Sequence, residues 1–423
     1  MSRLKPKSLG FARCLWGLSA FAALLLVLKY FVADVYHINS GSMRPTLMGG
    51  AALGESKSFD EWILVRYGSG QGLERYDLVV VDRPGKPALI KRVLGLPGES
   101  IRIVDGDVFI DGARPAREAK RPAPIPVFDS RLHPVSDQEG FGFSVESGPG
   151  GPWSEQRGVW MLKGSQIGLG RDTGRSTGMM HYRPDVRDGY IDQNGKRIAG
   201  SRSVNDLVLE CEVAVDALAG RLRFQLTEAG DLFEARLRQD PEKPGSQLLE
   251  LIRSRLGTKE AHVLKELEIV EASLELELPE KEWLRVQFSN LDNCVSFKIE
   301  KLNVELYFYY ESNERFPGKP AHGDQNVGVR VGFGGEGIEA RFRSIQILRD
   351  LHYTAPVKTT VAQQQEVPEA QEELTYLGPG ELYLLGDNSS QSIDSRSQGA
   401  YALETVVGRP LCVVWPLWRW RSL

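Results

Sequence analysis

The sequence predicts a mostly β protein, with an antiparallel β-sandwich in the middle of the chain and one transmembrane helix at the amino terminus. Three observations predict it. Short runs in which apolar and polar residues alternate recur at 207–215, 221–226, 284–288 and 327–333, separated by Gly, Asp and Asn, which is the pattern of half-buried antiparallel strands. One apolar stretch, residues 14–33, stands near the start. A Pro-rich stretch at 114–126 and a Gln- and Glu-rich one at 361–373 bracket a middle region with its own turn signals. At roughly 150 residues per domain, 423 residues allow two or three folding units. The expected boundaries are 1–35 for a cytoplasmic tail and anchor, 36–128 and 374–423 for the segments on either side of the middle region, 129–354 for that region and 355–373 for a linker. With 41% hydrophobic and 26% charged residues the chain is neither disordered throughout nor a multi-pass membrane protein. A net charge of -4 is too small to imply nucleic acid as a partner.

Residues 14–33 are apolar except for Ser19 and Lys29, and Arg3, Lys5, Lys7 and Arg13 precede them with no acidic residue before Asp34. Such a charge bias favours a cytoplasmic amino terminus and sends the rest of the chain outward. The uncharged run 14–28 makes only about 22 Å of helix, so spanning requires Lys29 to snorkel while Tyr30, Phe31 and Val32 extend the apolar run. The alternative is a cleavable signal peptide ending near Ala33, against which stands the bulk of Phe31 at the -3 position.

Beyond the anchor comes Asn39-Ser40-Gly41-Ser42-Met43-Arg44-Pro45-Thr46-Leu47, an exposed turn on its composition. A serine hydroxyl is a weak nucleophile without a base in hydrogen-bond reach, and no Asp or Glu lies close in sequence. The chain holds six histidines, none in a recognisable Ser/His/Asp order. The strand-like run Leu78-Val79-Val80-Val81 is followed by Ala88-Leu89-Ile90-Lys91-Arg92-Val93-Leu94-Gly95-Leu96-Pro97-Gly98-Glu99, which embeds a lysine among aliphatic residues. A buried lysine loses its proton more readily, as a general-base amine must; on a solvent-facing edge the same residue is an ordinary cation. A third element, Leu384-Leu385-Gly386-Asp387-Asn388-Ser389-Ser390-Gln391-Ser392-Ile393-Asp394-Ser395-Arg396, reads as a polar turn after a strand.

In the middle region, Tyr307-Phe308-Tyr309-Tyr310 offers either a stacking platform or ordinary strand packing. Residues 168–178 form a Gly-rich loop without a phosphate-binding pattern, and the charged residues of 259–282 suit a solvated face. Cys211 and Cys294 are expected as free buried thiols, with a disulfide as the alternative in an extracytoplasmic domain. At the end, Cys412-Val413-Val414-Trp415-Pro416-Leu417-Trp418-Arg419-Trp420-Arg421 combines a final strand at 411–415 with a Trp/Arg segment suited to a membrane interface.

Taken together and in order, three of these runs resemble the signature boxes of the bacterial type I signal peptidases. Ser-Gly-Ser-Met-x-Pro-Thr-Leu falls at 40–47, Ile-Lys-Arg-Val-x-Gly-x-Pro-Gly-Glu at 90–99, and Gly-Asp-Asn followed by Ser-x-Asp-Ser-Arg at 386–396. The resemblance covers residues 10–125 and 370–420, and implies that 36–128 and 374–423 form one all-β catalytic domain in two chain segments, interrupted by a β-sandwich insert of jelly-roll type. It implies a serine endopeptidase with Ser42 as nucleophile and Lys91 as general base, an oxyanion hole from the Ser40 hydroxyl and the Ser42 N–H, and Ser392 orienting the lysine. Asp394 and Arg396 match a structural pair near the site. It further implies preprotein signal peptides with small residues at -1 and -3 as substrates, the lipid bilayer of the cytoplasmic membrane as partner, an extracytoplasmic catalytic domain, and no metal or organic cofactor. The insert's closing residues, Gly328-Val329-Arg330-Val331-Gly332-Phe333-Gly334 and then 338–348, are similar to the last strands of concanavalin- or laminin-G-like sandwiches, which often bind a glycan or a peptide on one face.

There are departures from the pattern. Arg75-Tyr76-Asp77 stands where the family has Arg-Gly-Asp, Ser389-Ser390-Gln391 replaces Arg-Asp-Asn, and an insertion separates Leu47 from the strand expected at 62–66. Two other readings remain: a membrane-anchored binding protein on an inactive peptidase scaffold, and a serine/lysine protease that cleaves itself or a narrow client.

Overall fold

The computed structural model describes residues 16, 32–50, 60–115, 121–133, 143–145, 152–163, 178–228, 231–256, 265–310, 331–353 and 374–423, apart from single positions at 69, 105 and 183. The apolar amino-terminal segment, the linker at 355–373 and most of the Gly-rich loop therefore lie outside the described residues. Among the described residues no helix is long and apolar enough to cross a membrane. The protein is mostly β, and it divides into two compact units, Met1–Pro122 with His352–Leu423, and Ala123–Leu351.

In the first unit one antiparallel sheet runs in the order Ala33–His37, Trp62–Tyr67, Val406–Trp415, Leu78–Arg83, Lys86–Gly95, Glu381–Leu385, Tyr401–Ala402, with Arg421–Ser422 added beside Val406–Trp415. The carboxyl-terminal strand Val406–Trp415 thus sits between two strands from the other end of the chain. Two sequence segments form one sheet, so neither can bury its apolar faces alone. Val79, Val80 and Val81 show why: consecutive strand residues point to opposite faces, and all three are buried. Val80 packs with Ile38, Met43, Leu47, Ile63, Val65 and Val413 on one face. Val79 and Val81 pack with Val93, Leu382, Leu384 and Val406 on the other. A smaller sheet joins Thr375–Tyr376, Ser100–Val104 and Asp107–Ile110.

The second unit is organised by two long strands, Leu207–Glu228 and Val331–Arg349, paired antiparallel through three register shifts. Sequence reading had each as two separate strands. They are continuous because glycines let the pair bend: a Cβ at Gly220 would stand 2.0 Å from the Glu336 carbonyl oxygen. The first half of Leu207–Glu228 pairs with Leu284–Leu291 and the second with Asp231–Gln239, so the bent pair feeds two layers of strands. Phe224 meets Phe297 at 5.2 Å and Phe233 meets Tyr310 at 4.7 Å between ring centroids, closing the sandwich core. Cys211 and Cys294 are buried and free, which removes the disulfide alternative. Tyr307 and Tyr309 are exposed on the strand Val304–Tyr309, whereas Tyr310 turns inward to donate its hydroxyl hydrogen to Glu228. The charged stretch expected as a solvated face supplies the edge strand Lys265–Leu276.

Candidate active site

Ser42 sits in a single 3₁₀ turn, Gly41–Met43, entered from the extended Ser40. The turn is set by its apolar neighbours, since Met43 and Leu47 are buried in the sheet core and the Leu47 N–H donates to the Met43 carbonyl at 2.9 Å. Arg44, at the variable position of the first motif, is fully buried and donates to the carbonyls of Gly49, at 3.1 Å, and Gly50. The turn expected to be exposed is thus buried at Ser42, Met43, Arg44 and Leu47, because its apolar residues belong to the sheet core and Arg44 is spent on main-chain carbonyls.

Lys91 comes from the middle of the strand Lys86–Gly95 and is 1% exposed. Its Nζ lies 2.8 Å from Ser42 Oγ and donates to the Ile90 carbonyl at 3.0 Å. Burial lowers its pKa to about 8, against the opposing pull of the Asp394 and Asp387 carboxylates. A nearly dry amine within hydrogen-bond reach of a hydroxyl is the arrangement a serine/lysine pair needs. Ser40 Oγ stands 3.4 Å from Ser42 Oγ, on the same side of the turn.

The third motif closes over the turn. The Asn388 N–H donates to the Ser42 carbonyl and its Nδ2 to the Gly41 carbonyl, both at 3.0 Å. Gly386 passes so close that a Cβ there would approach the Ser42 carbonyl oxygen at 2.5 Å and Ser392 Oγ at 2.2 Å, which demands glycine. Ser392 therefore stands beside the serine turn, but it makes no hydrogen bond to Lys91. Its Oγ is buried and completes no bond of ordinary geometry, while helping to keep the neighbouring Asp394 carboxylate ionised. Asp394 receives Arg396 through Nε at 2.8 Å and Nη2 at 2.6 Å, and the Gly386 N–H at 3.0 Å, so this pair braces the Gly386 turn.

The structure brings Ser40, Ser42, Lys91, Ser392, Asp394 and Arg396 to one place and adds residues that sequence reading left without a role. Arg92 and Asp387 form a buried two-point ion pair at 2.8 and 2.6 Å, and Thr46 Oγ1 donates to the same carboxylate. The signal was present in Lys91-Arg92: adjacent strand residues face opposite ways, so a second cation in that apolar run needs its own acid on the other face. Glu61, also fully buried, is bound by Arg419 and Arg421. Tyr76, where the resemblance leads one to expect glycine, has φ +70°. Its N–H donates to the Val93 carbonyl at 2.7 Å, and its carbonyl accepts from Arg92 at 2.8 Å, so the turn keeps a left-handed shape without the residue that best tolerates it. Among the described residues no group of His, Cys, Asp and Glu has the form of a metal site.

Residues 13–131 and 321–415 match the family described as Signal peptidase, peptidase S26. Signal peptidase I of Bacillus amyloliquefaciens is 28% identical over 159 residues, covering 31% of this chain and 78% of the relative. Signal peptidase I T of Bacillus subtilis (strain 168) is 28% identical over 158 residues, with the same shares. Among solved structures, the carbohydrate binding module CBM66 from Bacillus subtilis aligns with 49% of this chain and 95% of its own, at 9% identity and a TM-score of 0.29.

Proposed function

This chain belongs to the signal peptidase family, peptidase S26, and on that premise we propose that it is a serine endopeptidase removing amino-terminal signal peptides from exported preproteins, with Ser42 as nucleophile and Lys91 as general base. The observation that carries this reading is the 2.8 Å approach of a buried Lys91 amine to Ser42 Oγ. In its neutral form the amine accepts the Ser42 proton as Oγ bonds to the scissile carbonyl carbon, and the carbonyl π pair moves to oxygen. The Ser40 hydroxyl and the Ser42 N–H then stabilise that oxyanion. Collapse breaks the C–N bond, and the Lys91 ammonium protonates the departing amine. Water, deprotonated by the same amine, attacks the resulting ester; its C–O bond breaks and the proton returns to Ser42 Oγ.

The proposed substrates carry small residues at -1 and -3, and the proposed location is the outer face of the cytoplasmic membrane, with residues 14–33 as the anchor. Cleavage of a preprotein bearing an Ala-x-Ala site by detergent-solubilised protein tests the reading. Wild type is expected to cut at that site, and folded Ser42→Ala and Lys91→Ala variants are expected to be inert. An inert wild type, or variants that cut equally well, would overturn it in favour of a binding protein on a peptidase scaffold.

A further inference from the structure

The turn that carries Ser42 is fixed from two sides. On one, Thr46 Oγ1 reaches the Asp387 carboxylate that also binds Arg92, the neighbour of Lys91. On the other lies a carboxylate with no part in the chemistry. Glu61 is fully buried at the start of the strand Trp62–Tyr67, and its Oε2 accepts the Met48 N–H at 2.9 Å. Arg421 donates to Glu61 Oε1 at 2.8 Å and Oε2 at 3.0 Å, and its Nη2 also donates to the Thr46 carbonyl at 2.6 Å. Arg419 binds the same carboxylate. Arg421 in turn is held by the strand Arg421–Ser422, which pairs with Val406–Trp415 through Val413 and Cys412. Arg421 therefore holds the main chain at Thr46 directly and at Met48 through Glu61, four and six residues after the nucleophile.

The energetics favour a fixing role over a surface ornament. A carboxylate with no exposed surface is tolerated only when its oxygens are filled by donors, and here two guanidinium groups and a main-chain N–H fill them. Burial pushes the Glu61 pKa up, and the Arg421 and Met48 donors with the charges of Arg421 and Arg419 outweigh it, leaving the carboxyl below its usual value. Resting on the assignment of Ser42 and Lys91 above, we propose that Glu61 and Arg421 are positioning residues of the peptidase site, holding the Ser42 turn against Lys91 from the carboxyl terminus of the chain. Neither touches the reacting atoms. Loss of the grip lets the segment 44–48 relax, lengthens the Ser42 to Lys91 approach and admits water to the amine. The charges that surround the amine, Asp394, Asp387, Arg83 and Arg396, stay in place.

The experiment compares full-length wild type, Ser42→Ala, Glu61→Gln, Arg421→Gln and Arg421→Lys on one Ala-x-Ala peptide, with kcat and KM measured across pH and the melting temperature recorded for each. Glu61→Gln and Arg421→Gln are expected to lower kcat on the order of tenfold with a smaller change in KM, because misplacement of a reacting group acts on the chemical step. They are also expected to move the acid limb of the profile upward as the amine regains water. Arg421→Lys, which keeps a cation, is expected to recover part of kcat. Should Glu61→Gln not fold, Arg421→Gln decides, since it leaves Arg419 on the carboxylate. Folded variants with wild-type kcat and an unmoved acid limb would overturn the proposal while leaving the dyad intact, as would a loss of rate that merely follows the loss of folded protein. An inert wild type or an active Ser42→Ala would instead sink the dyad on which it rests.

Discussion

Titration of Lys91 gives the sharpest expectation. The structure places its pKa at about 8 through burial, compared with 10.5 for a hydrated lysine. If the neutral amine is the base, the active fraction of free enzyme is about one-tenth at pH 7 and about nine-tenths at pH 9, so kcat/KM climbs roughly tenfold across that interval and then flattens. A lysine with an ordinary pKa behaves differently: its neutral fraction is only a few parts in ten thousand at pH 7 and climbs about a hundredfold by pH 9 with no plateau. The assay is initial-rate cleavage of an Ala-x-Ala peptide by detergent-solubilised protein from about pH 6 to pH 10, in buffers of constant ionic strength. A log-linear rise of unit slope up to pH 10, or a plateau already reached below about pH 6.5, would refute the assignment of the limb to a desolvated Lys91.

The same burial has a cost in stability. The folded pKa of Lys91 lies below the unfolded one, so the penalty is fully present below pH 8 and disappears as pH rises through 10.5. Lys91→Met is accordingly expected to abolish cleavage yet stabilise the protein at pH 7 by up to about 3 kcal/mol, a gain that calorimetry should find diminished near pH 10. At Tyr76, glycine and alanine both remove the ring, but only glycine takes φ +70° without strain. Tyr76→Gly should therefore unfold at higher denaturant than Tyr76→Ala, by about 1 kcal/mol. Trp418 and Trp420 are 71% and 68% exposed although the arginines beside them are engaged with Glu61. Changing both tryptophans to Ala should weaken binding to phospholipid vesicles by at least roughly tenfold while leaving cleavage of a short soluble peptide unchanged.

What the sequence made legible divides along a physical line. Features set by near neighbours were readable: the strands around Val79 to Val81, the presence though not the burial of a turn at Ser42, and a lysine set among aliphatic residues. Contacts between residues far apart in the chain were not. Arg92 with Asp387, Thr46 with Asp387, and Glu61 with Arg421 are each separated by more than 290 positions, and no period or local composition reports such a pair. The Trp/Arg end of the chain shows the same limit. Its composition fits an interfacial segment, yet its arginines are bound to a buried carboxylate and only its tryptophans remain outward. The long strands of the insert failed for the opposite reason. Glycines that locally signal a turn, such as Gly220, serve there as bends inside one continuous pairing, a distinction that only the partner strand's close approach can make. Three local rules are broken near the candidate site. A lysine is buried at Lys91, a non-glycine residue takes positive φ at Tyr76, and a hydroxyl is left unbonded at Ser392. Each is unfavourable alone, and the main chain joins the first two: Val93, two residues after Lys91, accepts the Tyr76 N–H, while Arg92, next to it, binds the Tyr76 carbonyl. Positive-φ residues other than glycine also occur away from this place, at Asp111, Lys281 and Asn303 among others, so what sets Lys91 apart is that its own neighbours tie a buried amine to such a turn, and not strain as such.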